Sequence, residues 1–270
     1  MRLHIRHTTR YRYTEPLRYA LQTLWLTPRS GPSQTVAFWS LGAPGVLYAQ
    51  HDGCGNTLHS YTFVAEAGEC MTTSLVNAAG QVDTLGVAQF SDDSAMPHPA
   101  FFLRSTELAA PHSQLAEFGR RFVAGPADLP ALLALSRAVA DTVRYQKNST
   151  SVETTALQAF KAGAGVCQDQ AHVMVAVCRS IGLPARYVSG YFFAANAPEL
   201  ASHAWVDVCI HSQENRWISL DVTHRCTTDE RHIRLAAATD YTACLPIKGL
   251  RRGGGEERMD VSIRIEPLTG

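Results

Sequence analysis

The 270-residue sequence lacks any surplus of charge, since Lys plus Arg and Asp plus Glu each number 24. That balance excludes the basic surface on which nonspecific nucleic-acid binding depends, so no nucleic-acid partner is expected. No apolar run approaches the roughly 20 residues that cross a bilayer. The N-terminus alternates charged and apolar residues where a signal peptide has a hydrophobic block, so no membrane partner is expected and the cytoplasm is the expected location. Cysteine is sparse: seven residues, an odd number, with no paired CxxC spacing, which argues against a disulfide framework and for reduced thiols. HExxH is also missing, so no metal and no cofactor are expected. No calcium-loop motif occurs. Gly253-Gly254-Gly255 has no following Lys-Ser/Thr, so it reads as a flexible hairpin connection and not as a phosphate loop.

What is present centres on Cys167, in Gly165-Val166-Cys167-Gln168-Asp169-Gln170-Ala171-His172. This cysteine opens an apolar stretch that reads as a helix, with Val173, Val177 and Ile181 at intervals of four burying one face. The N-terminus of a helix presents unpaired N–H groups and a partial positive charge, both of which favour a thiolate. Gly163 and Gly165 permit the sharp approach that exposes the sulfur. Taken alone, a cysteine is more often a small buried core residue.

Two later runs change that balance. In Ser202-His203-Ala204-Trp205-Val206-Asp207-Val208, polar and apolar residues alternate as along a strand with one buried face. Arg216-Trp217-Ile218-Ser219-Leu220-Asp221 is a second β-rich run, and Gln213-Glu214-Asn215 between them has hairpin-turn composition. Such a hairpin sets Asp221 beside His203, so that the carboxylate holds one ring nitrogen while the other faces Cys167. That is triad logic: thiol nucleophile, imidazole base and orienting carboxylate. A competing metal reading gathers Cys167, Asp169 and His172, or His203, His211, His224 and His232, but has no spacing signature behind it.

These blocks, with Gly182-Leu183-Pro184-Ala185-Arg186-Tyr187-Val188-Ser189-Gly190-Tyr191, resemble in order those of the bacterial transglutaminase-like cysteine peptidases. The resemblance assigns Cys167, His203 and Asp221 the nucleophile, base and orienting roles. It implies a cysteine peptidase or amidase acting on a peptide or protein amide through a thioester. The alternatives are an acyl transferase with an amine acceptor and a non-catalytic scaffold of a peptide-processing system. One block departs from the family, with Asp221-Val222-Thr223-His224 standing where Asp-Pro-Thr-Asn is usual. Leu3 to Tyr13 and Asp52-Gly53-Cys54-Gly55-Asn56 resemble the small β-domain that precedes the core in this family.

The expected fold is therefore α+β: a papain/transglutaminase-like core of helices on an antiparallel sheet, preceded by a small all-β sandwich. Residues 1–95 form the β-domain and 96–270 the core, which closes with a strand from Met259 to Ile265. Arg2, Arg6, His7, Arg10 and Arg12 read as the wet face of a strand, and Phe90 to Ser113, broken by prolines, reads as a connection. Helices are expected at Leu115–Phe122, Leu129–Val143 and Thr154–Lys161, and strands at Arg186–Tyr191, Ala204–Ile210 and Trp217–Leu220.

An oxyanion hole needs two donors, of which the Cys167 N–H is one. Tyr145 is the candidate second donor, against a plain reading as a core tyrosine at a helix end, and Gln168 and Asp169 are alternatives. Asp169 also suits a first-turn carboxylate. Trp205 is placed on the floor of the site and Tyr191 in the cleft, with core packing as the competing role for each. Substrate identity and any homo-oligomer stay open.

Overall fold

The computed structural model describes residues 1–65, 71–92, 97–195 and 202–268. In chain order, the first strands are β1 (Arg2–Leu24), β2 (Gln34–Gly42), β3 (Tyr48–His51), β4 (Thr57–Val64), β5 (Met71–Thr84) and β6 (Gln89–Ser91). The helical part follows, with α1 (Ser113–Arg120), α2 (Leu129–Thr142), β7 (Arg144–Tyr145), α3 (Ala156–Ala162), β8 (Ala164–Gly165) and α4 (Cys167–Ser180). Then come β9 (Ala185–Phe192), β10 (Ser202–His211), β11 (Arg216–Asp221), β12 (Cys226–Thr227), β13 (His232–Ala238), β14 (Ile247–Gly253) and β15 (Glu257–Pro267). This is the expected α+β architecture, with strands before and after a block of helices. No helix among the described residues is long and apolar enough to cross a membrane.

The first sheet is antiparallel, in the order β2-β5-β1-β4-β3, with β14 and β15 also on β1. β1 alternates because Leu3, Ile5, Tyr11 and Tyr13 point inward while Arg2, Arg6, Arg10 and Arg12 face solvent. His7 does not belong to that wet face. It is buried, its Nδ1 lying 2.6 Å from the Tyr191 hydroxyl and its Nε2 2.9 Å from that of Thr9. Burial pushes its pKa down to about 4, so the ring is neutral.

The C-terminal strands run one after the other along the length of β1. Gly253, Gly254 and Gly255 make no hairpin. Their φ values of 82°, 89° and 59° form a bulge opposite the bend in β1, where Gly254 N–H donates to Pro16 O at 3.0 Å and Glu15 N–H to Gly254 O at 3.1 Å. Three successive left-handed residues are accessible to glycine without steric cost, which keeps β14 and β15 in line. The boundary placed at 95/96 lies outside the described residues. Strand pairing crosses it both ways, since β6 joins β11 while β14 and β15 join β1. The connection from Phe90 thus begins as a strand of the second sheet, and Phe102 packs edge-on against Trp217 with centroids 5.6 Å apart.

The second sheet, β12-β11-β10-β9-β13 with β6 on β11, carries α4. Ala204, Val206 and Val208 of β10 share a core with Val173, Val175 and Val177 of α4. The other face of β10 is buried too, with Trp205 1 % exposed and Asp207 fully enclosed, so the strand has two buried faces where the alternation suggested one. α4 is likewise buried on every side from Asp169 to Arg179. Its contact with α1 is close: a Cβ on Gly119 would meet Val177 Cγ1 at 2.8 Å.

Two polar links fix the sheets. Asp52 Oδ1 accepts the N–H groups of Cys54 and Asn56 at 2.8 and 2.9 Å. The turn so formed presents the Asn56 amide to both backbone groups of Ala237 in β13, at 2.8 and 2.9 Å. Asp207 is held by Arg186 at 2.8 Å and Arg234 at 2.6 Å, while Arg186 also reaches Asp92 at 2.8 Å. Burial alone would raise the Asp207 pKa, but the two guanidinium charges and their hydrogen bonds override it and bring it down to about 2.

We expect Asp207→Asn to leave buried guanidinium charge uncompensated and to destabilise the fold by about 3–5 kcal/mol, read from the urea midpoint. Because the native pKa is depressed, the stabilisation from ionised Asp207 is full above about pH 4 and fades as pH falls toward 2.

Candidate active site

Cys167 is the first residue of α4 and half-buried. The approach is tight: Gly165 lies so close to the first turn that a Cβ there would meet Asp169 Cβ at 2.6 Å. Asp169 Oδ2 reaches back to accept Val166 N–H at 2.8 Å and takes the Thr150 hydroxyl at 2.7 Å. Asp169 is therefore a first-turn carboxylate, 1 % exposed, and does not face the cleft.

β10 and β11 form the expected hairpin, with Val206 opposite Leu220. That register sets His203 Nε2 2.8 Å from Asp221 Oδ2. With Nε2 taken by Asp221, Nδ1 is the nitrogen left for Cys167, whose thiol is near enough to influence the His203 pKa. Burial opposes a charged His203, but the hydrogen bonds to Asp221 and Cys167 and the charges of both outweigh it, raising its pKa to about 10. Asp221 thus holds one nitrogen of His203, and Cys167 stands at the start of α4.

Asp221 has more partners than the sequence suggested. Its Oδ2 also accepts His224 Nδ1 at 2.7 Å and His232 Nε2 at 2.9 Å, and its Oδ1 accepts the His224 N–H at 3.0 Å. Burial would push this carboxyl up, yet the three imidazole donors hold it well below the usual carboxylate range. His232 is in turn braced by Asp229, whose Oδ1 lies 3.1 Å from Nδ1. Phe192 sits among the three rings, stacked on His224 at 4.0 Å and tilted or edge-on to His203 and His232 at 5.5 and 4.9 Å. Thus three of the four histidines weighed as zinc ligands do converge, while His211 stays on the surface beside Glu214. The ligand atoms of His203, Asp221 and His232 lie within 4.8 Å of one another. They face one another as donors and acceptor, and the proton that His203 retains competes with a metal for its nitrogen.

The remaining candidates separate. Tyr145 is no core residue: it is 50 % exposed, pairs with Gly165 through β7 and β8, and has its pKa raised by burial and by Cys167. The Gln168 amide donates to Val152 O at 3.2 Å, so it is turned away from the thiol. Tyr191 is fully buried between the sheets on His7, outside the cleft. Trp205 lies under the site, edge-on to His232 at 5.3 Å. It lies so close to Gly190 that a Cβ there would meet the indole Cη2 at 2.4 Å. His172, the other metal candidate, is buried, accepts Tyr241 N–H at 3.2 Å, and is held near pKa 4 by burial.

Sequence reading weighed His224 and His232 only as metal ligands, not as partners of Asp221, and missed Asp229, Phe192 and the role of Gln170. Gln170 ties α4 to the loop after Asp221, donating to Val143 O at 2.8 Å and accepting the Thr223 hydroxyl at 2.7 Å. The Asp229–His232 spacing of three was the one local signal available. A cleft of about 690 Å³ is lined by Glu107, Val152, Glu153, Asp240 and Tyr241 among others, and the Tyr241 pKa is raised by burial and by the charges of Cys244 and Cys167.

A thiol at a helix start, an imidazole on a neighbouring strand and a carboxylate behind it, carried by helices on an antiparallel sheet, define the papain/transglutaminase-like class. Residues 117–222 match the model of the transglutaminase-like superfamily, and residues 3–79 match that of the bacterial transglutaminase-like N-terminal region. The chain therefore has a core of the transglutaminase-like superfamily, preceded by a bacterial transglutaminase-like N-terminal region. An uncharacterized protein of Mycobacterium leprae is 28% identical over 281 residues, covering 99% of both chains. One of Mycobacterium tuberculosis is 29% identical over 296 residues, covering 100% of this chain and 94% of its own. The crystal structure of a candidate cysteine protease from Cytophaga hutchinsonii superposes with a TM-score of 0.77 at 19% identity, covering 100% of this chain and 91% of its own. That likeness establishes the fold.

In ring-proton NMR titrations we expect His203 to stay an imidazolium through neutral pH and to lose its proton near pH 10. Asp221→Asn removes the carboxylate charge while burial remains, so the His203 titration moves to well below that value. Because the native pKa is raised, the contribution of His203 to stability is full below about pH 6.5 and declines as pH rises toward 10.

Proposed function

We propose that this protein is a cysteine hydrolase of peptide or protein amides. The observation that carries the reading is the Cys167–His203–Asp221 arrangement at the mouth of α4. Cys167 Sγ, as the thiolate of an ion pair with His203, attacks the amide carbonyl carbon. The oxyanion that forms takes the Cys167 N–H and the Tyr145 hydroxyl as donors. His203 then gives its proton to the leaving amine as the C–N bond breaks, which leaves a thioester on Cys167. Water, deprotonated by His203, attacks that thioester and releases the acid and the free thiol. Asp221 orients His203 and offsets its charge throughout, as the carboxylate does in other triads.

One feature favours acyl transfer to an amine as the second reading. The cleft carries Glu107, Glu153 and Asp240, and no Lys or Arg lines it among the described residues, which suits an amine-bearing acceptor. Water and amine compete for the same thioester, so acceptor access decides between them. The cytoplasmic location remains part of this proposal, supported by the free thiols of the described cysteines.

Burial pushes the other described thiols up, Cys54 and Cys226 to about 11 and Cys178 to about 12, with Cys209 and Cys244 also raised. Limited iodoacetamide at neutral pH should therefore modify Cys167 first, mapped by mass spectrometry, and His203→Ala should slow that labelling. On a casein substrate, Cys167→Ala should abolish turnover and His203→Ala should lower kcat by about 10²–10⁴-fold. Tyr145→Phe should lower kcat by about 10²-fold with little change in KM if its hydroxyl reaches the oxyanion. Equal labelling of Cys167 and the buried thiols, with no turnover, would sink the catalytic reading. A dansylated alkylamine added to the casein assay separates the two fates of the thioester: incorporation marks transfer, and release of new carboxylates alone marks hydrolysis.

A further inference from the structure

We propose that the outer edge of β15 is a self-association surface, on which two copies of this chain pair antiparallel about a two-fold axis at Ser262. The sheet would then continue from one copy into the other.

β15 pairs with β1 along one side, from Leu3 opposite Pro267 to Tyr13 opposite Glu257. Among the described residues no strand pairs with its other side. A free edge of this length offers a row of unpaired backbone donors and acceptors. Its side chains fall into two sets. Met259, Val261, Ile263 and Ile265 share one face. Ile263 and Ile265 are buried at 7 % and 5 % exposure, whereas Met259 and Val261 are left open at 56 % and 49 %. Arg258, Asp260, Ser262, Arg264 and Glu266 share the other face.

The charges on that second face read plus, minus, neutral, plus, minus, a pattern that changes sign when reversed about Ser262. β1 matches it only in part. The β1 register sets Arg258 opposite Arg12 and Arg264 opposite Arg6, like against like, while Asp260 lies opposite Arg10 and is paired with Arg12 at 2.6 Å and Arg258 at 3.6 Å. A second β15 centred on Ser262 sets Arg258 opposite Glu266 and Asp260 opposite Arg264, each twice by symmetry. Moving the axis to Val261 brings Arg258 against Arg264, and moving it to Ile263 brings Asp260 against Glu266. The Ser262 axis also lays Met259 and Val261 beside Ile265 and Ile263 of the second copy, which extends the buried layer over the two exposed apolar residues. A two-fold contact uses the same patch on both copies, as this pattern requires. The inference is independent of the chemistry assigned to Cys167.

Sedimentation of the full chain over a concentration series tests it. The expected result is a reversible monomer–dimer equilibrium in which Arg258→Glu raises the dimer Kd at least tenfold and Arg258→Glu with Glu266→Arg restores it. The single variant sets a carboxylate opposite Arg12 but also removes the Arg258–Asp260 pair within its own chain, so circular dichroism and the urea midpoint check that the monomer is intact, and the charge-swapped double variant separates lost pairing from a weakened fold. Ser262→Cys should give an interchain disulfide at that position under mild oxidation. A chain that stays monomeric at high concentration would overturn the proposal. So would a dimer indifferent to both substitutions, or an edge that takes up an added extended peptide without pairing to itself.

Discussion

The Asp221 carboxylate is the point on which the rest of the site depends. Asp221 is fully buried, ends a central strand, and would be costly to ionise there without compensation. Four donors from His203, His224 and His232 supply that compensation. Because the acceptor is fixed from several directions, the imidazole of His203 has one orientation, and its second nitrogen is aimed at the helix that carries the thiol. A hub of this kind turns three surface-type residues into a rigid support.

The scaffold explains why the hub is so well held. Asp221 lies on β11 and His232 on β13, with β10 and β9 between them in the second sheet. They meet because Asp221 ends its strand while the chain returns through β12 to begin β13 at His232. Trp205 fills the space beneath, which Gly190 leaves free, and Phe192 covers the rings from the adjacent strand. On the opposite side, Gln170 fixes the loop after Asp221 to the helix of Cys167. Cys167, His203 and Asp221 are therefore carried on elements tied to one another by buried hydrogen bonds.

The substitution of His224 where this family more often has asparagine acquires a physical meaning here. A ring nitrogen at this position reaches the same oxygen that His203 uses, while its backbone N–H takes the other oxygen. Its ring also stacks on Phe192, so one residue supplies both a donor and a cover to the buried carboxylate. The transglutaminase-like core accounts for the fold and the order of the blocks.

Local pattern was enough for the α+β class, for the helix that starts at Cys167, for the β10–β11 hairpin and for the first-turn role of Asp169. Each rests on neighbours within a few residues, where spacing and turn composition act directly. Local pattern failed where partners are remote. His7 had the alternation of a wet strand face, and only the arrival of Tyr191 from the second sheet made it a buried, neutral residue. The glycines at 253–255 had the composition of a hairpin, and only the long bend of β1 made them a bulge. His232 and Asp229 carried a spacing of three and nothing more, until strand order placed them behind Asp221. The sequence by itself determined which residues could do the chemistry and which elements hold them, because those properties are set by side-chain type and short-range period. Tertiary structure alone decided which carboxylate, which rings and which edges face one another, because those contacts join segments far apart in the chain through sheet register.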